Sequence, residues 1–226
     1  MESFPILFNL NLFGYKIGIT SSVLIQWIII LVVALTGIIF TRNLKKVPDK
    51  KQTVIEMMFN LVDDLVRHNM GEDARAFIPF IGAMMIYILS MNFMGLIGFK
   101  PPTSDYSVSL AMASVSFLVV QGYAIKKSGI INYLIGYGKP YAFLTPLNII
   151  ERVMLPVSLS LRLFGNMTAA VIIMDLAYSS LNKLSWIAQV AIPIPLHVYF
   201  DLFDGTIQMV IFVMLTMINI KIISEE

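Results

Sequence analysis

One arginine stands where an arginine is expensive. Arg162 lies in the run LPVSLSLRLFGNMTAAVIIM, with apolar residues for several turns on both sides, so its guanidinium cannot easily snorkel to either headgroup layer of a membrane. Arginine stays protonated at any reachable pH; it cannot hand over a proton, yet it can attract and then release a carboxylate presented by another chain. The competing expectation is neutralisation by a fixed acid within this chain, but no acid lies one turn from it. Ser158 and Asn166, at i−4 and i+4, share its face and are able to hydrogen-bond the guanidinium or a bound water. Gly165, Ala169 and Ala170 would admit another helix closely, although ordinary packing is the better account of these small residues alone.

A second polar row follows near the C-terminus. His197, Asp201, Asp204 and Gln208 are spaced by four, three and four, which places them on one narrow helical face at about 100° per residue. Asn219 returns to that face. Such a row would be costly against lipid, so it is expected to line a wet cavity, a polar half-channel. The alternative is that Asp201 and Asp204 lie in the outer headgroup layer, which would still leave Gln208 buried. Asp175 stands more than three turns after Arg162 on a nearly opposite face. It cannot pair with the arginine and is expected to face the last helix. Glu151, beside Arg152 near the start of the same helix, serves a channel or the helix dipole equally well.

The elements that must carry these residues are membrane spans. The chain is 58% hydrophobic and 13% charged, with mean hydropathy +0.80, a balance that places it in a lipid bilayer. A net charge of +2 with scattered basic clusters does not suggest nucleic acid, and cysteine is absent. The acidic start lacks the basic region and cleavage site of a secretory signal, so the first span is expected to be retained. Residues 22–41 form a first transmembrane helix. In 53–77, Val54, Met57, Met58, Leu61 and Leu65 recur against Glu56, Asp63, Asp64, Arg67 and His68, the pattern of an amphipathic helix lying on the cytoplasmic surface or packed on a neighbour. Residues 77–99 and 106–125 are further spans; Thr103, Ser104 and Asp105 are natural N-cap residues for the latter. Residues 147–179 and 185–223 exceed a perpendicular crossing and must tilt, bend or break, with kinks expected at Pro156, Pro193 and Pro195 and a hairpin at Asn182 and Lys183.

Arg42, Lys45, Lys46, Lys50, Lys51, Arg67, Arg75, Lys126, Lys127, Lys139 and Arg152 then fall on one side, against Lys16, Lys100 and Lys183. The expectation is one all-α integral membrane domain over 1–226. It has five transmembrane helices and one surface helix, the N-terminus outside and the C-terminus cytoplasmic. Phosphate-loop, dinucleotide-binding, nucleophile-elbow and zinc-protease motifs are missing. No bound nucleotide, cofactor or metal and no catalytic site of its own are expected.

With Arg162 and Gln208 placed, PVSLSLRLFGNM followed by FDLFDGTIQMVIFVMLTM resembles subunit a of F-type ATP synthases, and MNFMGLIGFKPPTSDYSVSLAMA extends the likeness from the second span onward. The resemblance implies a bacterial cell membrane protein whose last two helices form a tilted hairpin against a c-ring. Its partners would be the c-ring, peripheral-stalk subunit b and the remaining synthase subunits. It also implies that Arg162 is the stator arginine, with Asn166 and Gln208 beside it. Two offset half-channels would carry H⁺ or Na⁺ to and from the ring carboxylates, H⁺ being the commoner case. Two positions depart from the family pattern: Val171 stands where an acid or histidine is common, with Asp175 one turn on, and Asn148 where an acid is frequent, with Glu151 close by. Asp201 occupies a position often held by Glu or His. A stand-alone secondary transporter is the alternative class, but the first spans and the final pair share no pattern of the kind inverted repeats show. A structural anchor for other subunits would leave Arg162 unexplained.

Overall fold

The fold is that of a computed structural model of the chain. It describes residues 4–12, 15–42, 45, 49–136, 138, 143, 145–181 and 191–225; Lys46, Pro48, Lys139 and the expected hairpin at Asn182 and Lys183 lie outside them. Among the described residues five helical stretches are long and apolar enough to cross a bilayer: Ser21–Thr41, Ala74–Ile97, Tyr106–Ser128, Thr145–Leu181 and Pro193–Ile222.

The chain begins with an antiparallel pair, β1 (Ile6–Leu12) and β2 (Tyr15–Thr20), which the all-helical expectation did not contain. Its signal is the alternation Phe8, Leu10, Leu12 against Asn9 and Asn11, a period of two. Helix α1 (Ser21–Thr41) follows directly. It joins the rest through Ile29, buried in the core with Ile25 and Val33 beside it, and through two polar contacts: Ser22 Oγ donates to Asp105 Oδ2 at 3.0 Å, and Tyr87 Oη donates to Gln26 Oε1 at 3.0 Å. Trp27, Ile30, Leu31 and Leu35 remain exposed, a surface suited to lipid.

The expected surface segment 53–77 is two elements. Helix α2 (Lys50–Met70) stops at Gly71, whose φ of 92° only glycine adopts cheaply, and a 3₁₀ turn (Glu72–Phe77) leads into α3 (Ile78–Asn92). Ion pairs brace this corner, Arg67 to Asp63 at 2.7 Å and Arg75 to Glu72 at 2.8 Å. The hydrogen bond from Arg75, then the charge of Arg67, holds the Glu72 carboxyl below its ordinary pKa. Val54, Met57, Met58 and Leu61 form an exposed apolar row on α2, while Val66 is buried near its end.

After α3 the chain tightens into a 3₁₀ turn (Phe93–Ile97) and a second one (Pro102–Ser104) before α4 (Tyr106–Ser128). Asp105 caps α4, accepting from Ser107 N at 3.0 Å; Thr103 and Ser104 are instead buried within the preceding turn. A short α5 (Ile130–Gly136) precedes α6 (Thr145–Leu181), which runs through Pro156 without interruption. The last span is composite: α7 (Pro193–His197), a π-helical turn (Val198–Asp204) and α8 (Gly205–Glu225). Helix α4 packs between α6 and α8, and α3 packs on α8. Ile81, Ile88, Met91, Leu163, Met167 and Met217 fill the centre. A hydroxyl pair, Ser116 with Thr216 at 2.6 Å, is fully buried there with its hydrogen bonding satisfied.

Candidate functional site

Helix α6 is two-faced in an unusual sense. Leu159, Leu163, Met167, Ala170 and Met174 are buried, spaced by four, four, three and four, and the helix packs against α4. Ser158, Arg162, Gly165, Asn166 and Ala169 are exposed on the other side. A Cβ added at Gly165 would meet nothing within 4 Å. Arg162 forms no ion pair or hydrogen bond with any described residue, so neither an internal acid nor Ser158 or Asn166 satisfies it. The charged face of an apolar helix is thus presented outward and uncompensated.

The polar row of the last span is rearranged by its π-turn. A π-turn closes i→i+5 bonds and accommodates one residue more than an α-turn, so the four residues do not form a single file. They form two pairs: His197 Nδ1 lies 2.5 Å from Asp201 Oδ2, and Gln208 Nε2 donates to Asp204 Oδ1 at 3.3 Å. Asp201 is only 4% exposed and Gln208 5%, while Asp204 and His197 are half-buried. Gln208 is therefore turned into the protein; it makes no hydrogen bond with Arg162. Asn219 is half-buried further along.

His197 also reaches α6. Its Nε2 lies 3.0 Å from the Tyr178 hydroxyl, so phenol, imidazole and carboxylate make a continuous hydrogen-bonded row from an exposed residue to a buried one. Every member of that row can hold or pass a proton. Asp175, expected opposite the last helix, is exposed and has no hydrogen-bond partner among the described residues. Tyr178, three residues later, makes that contact, because the helix turns the side chains at 175 and 178 into adjacent lanes. Glu151 is exposed as well, and its neighbour Arg152 packs over the Tyr133 ring, Cζ to centroid 5.6 Å.

The room for Asp201 comes from the 3₁₀ turn that follows α3. A Cβ at Gly95 would stand 2.4 Å from Asp201 Oδ1. Nearby, Asn92, fully buried, donates through Nδ2 to the Gly205 carbonyl at 2.8 Å and accepts from Thr103 Oγ1 at 2.9 Å. Tyr178, Gly95 and Asn92 escaped the sequence reading; an uncharged residue in an apolar run carries no signal of its partner. No group of three or more His, Cys, Asp or Glu that could hold a metal ion occurs among the described residues.

The family model for the ATP synthase A chain matches residues 23–221, which include Arg162 and all but the last few residues of the composite last span. The chain belongs to this family. It is thereby a subunit a of the F-type ATP synthase, a membrane component of that complex with no catalytic site of its own. A sodium ion specific ATP synthase subunit a from Propionigenium modestum is 29% identical over 98% of this chain and 80% of its own length. The ATP synthase subunit a of Moorella thermoacetica is 34% identical, with 88% of each chain covered, and that of Staphylococcus aureus 35%, with 92% of each covered. Every element described above, apart from the N-terminal hairpin, falls largely inside the matched region.

Proposed function

We propose that this subunit a carries ions between two offset half-channels and the carboxylates of a rotating c-ring. One observation carries the reading: Arg162 is exposed, unpaired among the described residues, and set on a helix whose opposite face is buried. A permanent charge in that setting requires an anionic partner from another chain. A ring of carboxylates moving past α6 supplies one at a time, and Arg162 blocks a charged site from slipping directly between the half-channels. Ser158, Asn166 and Ala169 share the ring-facing surface.

The outer half-channel runs along Tyr178, His197 and Asp201, with Asp204 and Gln208 continuing inward, and Asp175 and Glu151 flank the two mouths from α6. The hydrogen-bonded row favours H⁺ as the ion, which requires ATP-driven acidification of vesicles in Na⁺-free buffer. The basic clusters orient the chain with its hairpin outside and α2 on the cytoplasmic face of the bacterial cell membrane. Peripheral-stalk subunit b and the other synthase subunits complete the set of partners.

The deciding experiment is Arg162→Ala in the assembled complex, scored by ATP-driven pumping in inverted vesicles. Pumping should be lost while the subunits still co-purify, and Arg162→Lys should not restore it, since a point charge on a flexible stem replaces the planar fork. Normal pumping by a fully assembled Arg162→Ala complex would refute the proposal.

A further inference from the structure

The last span changes helix type at Gly205, between the carboxylate at 201 and the amide at 208. Removing one π-turn from a helix rotates everything before it by about 100° relative to everything after it. The direction in which Asp201 and His197 point, with respect to Gln208, is therefore set by whether that turn persists. The local sequence VYFDLFDG carries no proline within the π-turn, and a neighbour that bonds the backbone at its end is placed to hold it.

The neighbour is α3. Asn92 donates to the Gly205 carbonyl at 2.8 Å, at the first residue after the π-turn. Its other amide atom is held by Thr103 Oγ1 at 2.9 Å, so the carboxamide cannot flip without losing both bonds. Asn92 and Thr103 are both fully buried. The approach is close because Gly205 has no side chain: a Cβ there would come 3.1 Å from Asn92 Cβ. Three residues after Asn92, Gly95 leaves the space that the Asp201 carboxylate fills, four residues before Gly205. The two contacts thus lie side by side on antiparallel segments, one at the middle of the π-turn and one just past its end.

We propose that Asn92 is a positioning residue for the outer ion path: its amide, oriented by Thr103, locks the π-turn and thereby the direction of Asp201 and His197. The inference rests on the proposed role of Asp201 in that path. Asn92 itself touches neither ion nor ring; it acts through the backbone at Gly205.

The test uses the assembled complex, in which the chain's lack of native cysteine makes single-cysteine labelling clean. Nitroxides are placed one at a time at residues 199 to 203 and their accessibility to lipid-soluble and water-soluble relaxing agents is compared. In the parent Tyr199, Leu202 and Phe203 are exposed and 201 is protected, so the first three should be the accessible positions. In Asn92→Leu the pattern should shift by one residue, and pumping should fall about tenfold or more, the scale of one lost buried hydrogen bond. Thr103→Val, which removes only the bond that orients the amide, should give a weaker form of both effects. An unshifted pattern with normal pumping in Asn92→Leu would overturn the lock. Should Asn92→Leu not assemble, Thr103→Val decides the matter by the same accessibility profile, an unshifted profile counting against the lock. Asp201→Asn separates the two ideas. If it pumps normally, the path reading fails; if it is slow while Asn92→Leu changes nothing, only the lock fails.

Discussion

Adding a single methyl group at Gly95 should disable the outer path through a clash that can be read from the geometry. The new Cβ would lie 2.4 Å from Asp201 Oδ1, 2.5 Å from Cγ and 2.6 Å from Oδ2, distances at which something must move. A carboxylate is the end of a flexible side chain, so rotation relieves the overlap at little steric cost. The loss is elsewhere: Asp201 cannot turn away and keep its contact with His197 Nδ1. A hydrogen bond to a charged group is worth about 1.5–3 kcal/mol, which corresponds to roughly 10- to 150-fold in a rate if the contact lies on the path. Gly95→Ala should accordingly slow ATP-driven pumping into inverted vesicles by that range, with subunit assembly intact. A cycle with His197→Gln identifies the cause. If Gly95→Ala acts by breaking the His197 contact, the double variant should be barely worse than the worse single one. Simple addition of the two effects would show that the methyl group acts some other way. Pumping at the parent rate in Gly95→Ala would refute the reasoning altogether.

Tyr178→Phe keeps the ring packing but removes the hydroxyl that meets His197 Nε2; pumping should fall severalfold and recover with Tyr178→His, and an unchanged rate would remove Tyr178 from the row. For orientation, a cysteine replacing Lys100, whose Nζ sits 4.7 Å from the Phe4 ring centroid near the N-terminal hairpin, should react with an impermeant thiol reagent added outside intact cells. Labelling from the cytoplasmic side alone would invert the topology.

The spans were legible because lipid imposes a length and an apolar content on any helix that crosses it, and the runs of this chain meet both. Arg162 was legible for the same reason turned around: one permanent charge in such a run is visible in one dimension. Its exposed face was legible too, since the 3.6-residue period places Ser158 and Asn166 with it. The corner at Gly71 was not, because an amphipathic pattern continues through a break that only a backbone angle reveals.

The row in the last span shows where the one-dimensional reading stops. The sequence determined that His197, Asp201, Asp204 and Gln208 lie within one apolar helix and so had to find polar company. It could not determine which. That depended on the π-turn between Val198 and Asp204, which splits the row into two pairs, on the space left by Gly95, on the amide of Asn92, and on Tyr178 rather than Asp175 meeting His197. Periodicity is a property of one helix, whereas these contacts join residues 19 to 113 positions apart in the chain. Only the packing of α3 and α6 against the last span brings them within bonding distance.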